Sequence, residues 1–147
     1  MEKRNFKNDD VKKFFLNLIK DNDWKKNYKW ADDLPYLNGT DGFIRCLPFN
    51  ILLTQEARGI FEENQCFWYR DLVFNLISAI DFLDYEKDFQ VWYLLVDEDD
   101  KAYIICENGN DELLLYFQIP YTDFRNYGNT ALRLFYENNT IYLPNQR

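Results

Sequence analysis

Seven carboxylates crowd the stretch VDEDDKAYIICENGNDE, from Val96 to Glu112: Asp97, Glu98, Asp99, Asp100, Glu107, Asp111 and Glu112. Side chains of this type at short spacing can cage a hard cation, trade protons with a substrate, or draw a basic partner through solvent. A calcium loop needs oxygen ligands at set offsets and a glycine at its sharp turn. DEDDKAYIICEN has aspartates at offsets 0, 2 and 3 but no glycine, and ENGNDE has the glycine but is too short. Acid–base work needs two carboxyl groups in unlike environments, whereas carboxylates at strand turns are ordinarily wet. The expectation is therefore no metal, no cofactor and no catalytic residue, with the acidic residues acting as surface charge.

The rest of the chemical inventory agrees. The 147-residue chain has no histidine, which removes Ser-His and Cys-His nucleophile pairs, histidine-ligated zinc and zinc deaminases. Ser78 is the only serine and lies in an apolar helical stretch. Cys46, Cys66 and Cys106 are far apart and form no C-x-x-C pair, so they read as small buried hydrophobes rather than zinc ligands or disulfides. Charge is uneven. Residues 1–30 hold nine Lys/Arg against five Asp/Glu, while residues 31–147 hold eight against twenty. The stretch 81–112 alone carries eleven acidic residues. Such a body repels phosphate at long range and attracts a basic protein surface.

Two surfaces follow. The acidic one is Asp81, Asp84, Glu86, Asp88, Asp97, Glu98, Asp99 and Asp100, with Trp68 and Trp92 as aromatic anchors for a partner. The other is WKKNYKW, which interleaves Lys25, Lys26 and Lys29 with Trp24, Tyr28 and Trp30. Cations that meet phosphate beside aromatics that stack on bases are the parts of a single-strand binder.

These side chains need elements to carry them. Asn8 caps a first helix in which Val11, Phe14, Phe15, Leu18 and Ile19 form one apolar stripe. Thr54 caps a short helix from Gln55 to Glu63, and a longer one starts near Cys66, with Trp68, Leu72, Val73, Leu76, Ile77, Ile80 and Leu83 on one face. Asp33-Leu34-Pro35 and Asn38-Gly39 break the chain between the first two helices. The period then changes to that of strands. DFQVWYLLV, AYIIC and ELLLYFQI alternate with turns, and LRLFY and TIYLP make a last hairpin. Both faces of the first of these strands are apolar, so the second face must be covered too, by this chain or by a partner. The expected fold is α+β in a single domain, 1–147: a mainly helical part, 1–83, packed on a C-terminal antiparallel meander of about five strands, 84–147. No secretory signal and no run of apolar residues long enough to span a bilayer is present, and a cytoplasmic location is expected.

From Thr40 onward the ordered pieces TDG (40–42), FWYRDLVFNLISAI (67–80), FQVWYLLVD (89–97), ENGND (107–111), FQIPYTDF (117–124) and IYLP (141–144) resemble a family of small uncharacterised bacterial and prophage proteins, carried as a domain of unknown function. The family offers no catalytic residues to carry over. Here about two dozen residues, 43–66, separate TDG from the aromatic helix, a longer link than the family has, which suggests an added helix with a partner of its own. The resemblance implies cargo of phage and mobile elements. Combined with the acidity, it leads to a non-enzymatic interaction protein that inhibits a host defence or nucleic-acid-processing machine by occupying its basic channel, an RNA-guided CRISPR nuclease being one example. A carboxylate- or metal-dependent hydrolase is one alternative, and it requires two perturbed carboxylates in one concavity. Direct RNA binding by residues 24–30 is the other.

Overall fold

A seven-stranded mixed sheet carries helices on both faces in the computed structural model, which describes residues 8–33, 42–82 and 88–147, with no side-chain description for 79–82. The expected Asp33-Leu34-Pro35 and Asn38-Gly39 breaks, apart from Asp33, lie outside these residues. So do Thr40, Asp41, Leu83, Asp84 and Glu86, and the side chains of Ile80 and Asp81.

Helix α1 is Asp9–Leu18, and Asn8 caps it by accepting a hydrogen bond from the Asp10 N–H. A single 3-10 turn follows at Trp24–Asn27. Strands β1 (Phe43–Cys46) and β2 (Ile51–Thr54) form a hairpin that leads into α2 (Gln55–Glu63), and α3 spans Phe67–Phe82. Thr54 caps α2, its hydroxyl accepting from the Ala57 N–H at 3.2 Å. Strands β3 (Gln90–Val96), β4 (Ala102–Glu107), β5 (Leu113–Ile119), β6 (Ala131–Glu137) and β7 (Thr140–Tyr142) complete the sheet.

The expectation of about five strands in a meander is corrected in three respects. The five C-terminal strands form, but residues 43–54 add two more to the same sheet. The order is β1-β2-β7-β6-β3-β4-β5, so β6 returns to pair with β3 instead of following β5. One pair, β2 with β7, is parallel. Nor do the helices all precede the sheet, since β1 and β2 come before α2 and α3. Residues 43–66 supply sheet edge and core: Ala57, Ile60 and Phe61 of α2 are buried in the main cluster.

Strand β3 explains the layering. All seven of its residues are buried. Trp92, Leu94 and Val96 pack with α2 and α3, while Val91, Tyr93 and Leu95 pack with Val11 and Phe15 of α1 and with Trp24. The second apolar face is thus covered by this chain's own N-terminal segment. Trp24 sits among Phe15, Tyr28, Trp30 and Tyr93, with ring centroids 5.8–6.3 Å away. Edge-on aromatic contacts at these distances add to the area they bury.

Replacing Phe15 with Ala should cost about 3–5 kcal/mol of unfolding free energy, as aromatic truncations in a close-packed layer do. Urea melts of the two proteins measure it. A loss below about 1 kcal/mol would mean that α1 does not seal this face.

Candidate binding cleft

The outer edge of β6 is only partly used by β7. The register pairs Phe135 with Tyr142 and Glu137 with Thr140, and continuing it would bring Pro144 opposite Arg133. Proline has no N–H to give, and a short 3-10 turn begins there. The vacant stretch of β6 is taken by residues 29–32. Trp30 forms a parallel bridge with Ala131, the Ala31 N–H donates to the Ala131 carbonyl at 2.8 Å, and the Lys29 N–H donates to Thr130 Oγ1 at 2.8 Å. Asp32 extends this edge with its side chain. Its Oδ1 accepts the Arg133 N–H at 2.7 Å, standing in for a strand carbonyl.

Between the returning segment and the Pro144–Asn145 turn lies a cleft of about 470 Å³. Lys25 and Lys26 stand on one rim, Tyr28 and Trp30 form an aromatic wall, and Arg133, Asp32 and Asp33 supply the remaining charge. The Arg133 guanidinium lies over the Trp30 ring, 5.3 Å from its centroid. Its Nη2 is 3.7 Å from Asp32 Oδ2, an ion pair too long for a hydrogen bond, and its Nε is buried without a partner. Burial pushes the Asp32 carboxyl up to about 6, although the Arg133 N–H and guanidinium pull the other way. Lys25 is lowered, first by partial burial and then by Arg133, while Glu107, Asp111 and Asp32 oppose the shift. Three cations therefore face two carboxylates in a chain whose net charge is −8.

The basic patch is only partly as expected. Lys25, Lys26, Tyr28 and Trp30 converge on the cleft. Trp24 does not: it is buried beneath them and has no face for a ligand. Lys29 is exposed, but it does not line the cleft. Sequence reasoning missed Arg133 and Asp32. The one available signal was a single arginine inside the apolar run LRLFY.

The acidic surface comes apart. Asp88 precedes β3 and Asp97 follows it, so they stand at opposite ends of a strand that is itself about 20 Å long at roughly 3.3 Å per residue. Asp97 is a structural residue, half-buried, not a free charge. Its Oδ1 accepts from the N–H groups of Asp99 and Lys101, and its Oδ2 accepts from the Tyr103 hydroxyl. The link from β5 to β6 laces onto the same turn. Thr122 N–H donates to the Asp100 carbonyl, and Arg125 donates to the Glu98 carbonyl at 2.8 Å and lies 3.8 Å from the Asp100 carboxylate. Asp100 is half-buried and has φ 63°. Of the four carboxylates in this turn Glu98 and Asp99 are exposed, beside the exposed Lys101.

Trp92 is not a surface anchor. It is 0% exposed, and its Nε1 donates to Gln90 Oε1 at 2.9 Å, because the face it occupies is the one under α2 and α3. Trp68 is half-buried and lines a shallow groove with Ile119 and Tyr121. Among the described residues no group of three or more Cys, Asp or Glu is placed to hold a metal ion, and no helix is long and apolar enough to cross a membrane.

The model of a family of unknown function, DUF6876, matches residues 29–147. The chain belongs to DUF6876. No curated protein and no solved structure matches it. The match begins at Lys29, so it takes in Trp30, Asp32, Arg133, Pro144 and Asn145 of the cleft. Lys25, Lys26 and Tyr28 lie before it, as does α1.

A second perturbed carboxyl lies outside the cleft lining. Glu107 follows a register shift in β4, is buried, and accepts the Gly109 N–H at 2.8 Å. Burial, with a hydrogen bond to Asp111, pushes it up to about 7. A carboxyl raised on folding favours the native state fully below its unfolded value near 4.5, and that contribution is lost as pH rises through 7. Glu107→Gln imitates the protonated form. Its melting temperature relative to wild type should therefore rise between pH 5 and pH 8. Differential scanning fluorimetry at both pH values tests this, and a difference that does not change with pH would refute it.

Proposed function

We propose that this DUF6876 protein acts by binding rather than by turnover, as a small interaction protein of mobile-element type that meets a host nucleic-acid-processing machine through its anionic component. Its working surface in this reading is the cleft of Lys25, Lys26, Tyr28, Trp30 and Arg133. What supports the reading is the convergence itself: basic and aromatic residues from two segments a hundred positions apart meet in one concavity. Cations beside planar faces suit an anionic ligand better than they suit acid–base chemistry, for which the cleft offers one raised carboxyl, Asp32, already engaged with Arg133.

The test is binding of labelled polyphosphate, followed by anisotropy as salt is raised. With three cations engaged, log K against log salt should fall with a slope of roughly −2. The double variant K25A/K26A should bring it to about −1. Both lysines are exposed, so the variant should fold. No binding at low salt, or binding that the variant leaves unchanged, would remove the cleft from consideration.

A second reading keeps the acidic surface, as an inhibitor docked on a basic channel. The observation in its favour is the 97–101 turn, which presents Glu98 and Asp99 on a support fixed by Asp97 and Arg125. E98Q/D99N should then slow association with a basic nuclease or polymerase at low salt, with little change in dissociation or in melting temperature. Asp97→Ala, by contrast, should cost about 1–3 kcal/mol through the donors it strands. Association rates that E98Q/D99N leaves untouched would sink this reading.

A further inference from the structure

Trp30 is half-buried and firmly held. Its Nε1 donates to the Lys25 carbonyl at 2.7 Å, and its ring is flanked by Trp24, Tyr28 and Tyr93 with centroids 5.9–6.2 Å away. The Arg133 guanidinium lies over it, oriented by a carboxylate that is itself buried. Side chains fixed before a ligand arrives lose little freedom on binding. A guanidinium held over an indole by a cation–π contact offers its own outer face, on which a second planar group can stack.

Resting on the reading of the cleft as an anion site, we infer that its ligand is an unpaired nucleotide of a single strand, with the base on the Trp30–Arg133 platform beside Tyr28 and the phosphate at Lys25 and Lys26. The cleft volume, about 470 Å³, lies in the range of about 300–1,000 Å³ typical of small-ligand sites and leaves no room for a duplex. Tyr28 contributes ring surface to the cleft, while its hydroxyl is raised to about 12 first by burial and then by Tyr103 and Asp97, which do not line the cleft. Asp33 on the rim and Asp32 below it limit how much phosphate the cleft accepts. The strongly acidic remainder of the chain also disfavours a long backbone track. A single-strand site of one or two nucleotides fits this charge pattern, and a continuous phosphate groove does not.

The experiment compares three ligands at low salt: a short single-stranded oligonucleotide, an abasic sugar–phosphate strand of the same length, and the corresponding duplex. Base stacking should make the oligonucleotide bind at least fivefold more tightly than the abasic strand, and it should quench indole fluorescence. The duplex should bind no better than the abasic strand. Arg133→Lys keeps the charge and removes the planar platform, so it should erase most of the preference for bases while abasic binding persists. Its melting curve, and that of the milder Trp30→Phe, controls for folding. Equal binding of oligonucleotide and abasic strand, with Arg133→Lys silent, overturns the nucleotide assignment and leaves the anion cleft standing. Loss of binding to all three, and to polyphosphate, overturns the cleft reading itself.

Discussion

A strand buried on both faces is the constraint from which the architecture follows. Gln90 to Val96 leaves no residue to solvent, so the sheet cannot be a helix-backed layer with one wet side. Two apolar covers are required, and the chain supplies them from separate places. α2 and α3 close one face, and α1 with Trp24 closes the other. The second cover must reach across the sheet to Tyr93 and Leu95, and in doing so it carries Lys25, Lys26, Tyr28 and Trp30 to the edge of β6. The cleft is a by-product of sealing the core.

Its position depends on a mismatch of strand lengths. β6 has seven residues and β7 three, and Pro144 ends the pairing opposite Arg133. Unpaired peptide groups at a half-buried edge are costly, and residues 29–32 satisfy them with two backbone contacts and one carboxylate. The carboxylate that replaces a backbone carbonyl also fixes the cation beside it. One residue, Asp32, therefore links the hydrogen bonding of the sheet to the electrostatics of the cleft. It is raised by burial because both tasks keep it out of water.

Much of the local structure is legible in the sequence because caps are local chemistry. Asn8 and Thr54 start their helices where their side chains reach a free N–H, and α2 has the bounds its cap predicts. The five C-terminal strands follow from their β-branched and aromatic runs. β1 and β2 are not legible: FIRC and ILLT are four-residue strands that pair across a turn with no glycine. The return of β6 to β3 is set by long-range packing. The failure at Trp92 has the same origin, since alternation reveals that both faces are apolar but not that both are roofed. The acidic run looks continuous on paper because strand length is not visible in a charge count. Arg133 is the hardest case, because its partner Asp32 is 101 residues away and no local pattern joins them.

That separation has a consequence for the protein during its synthesis. Tyr28 and Trp30 leave the ribosome about a hundred residues ahead of Arg133, Pro144 and Asn145. Closing so large a loop costs chain entropy that only the assembled sheet repays. A nascent or partly folded chain thus carries basic and aromatic residues but no cleft, and its early cations have no platform on which to hold a ligand. The cleft exists only once β6 and β7 have found their places beside residues 25–33.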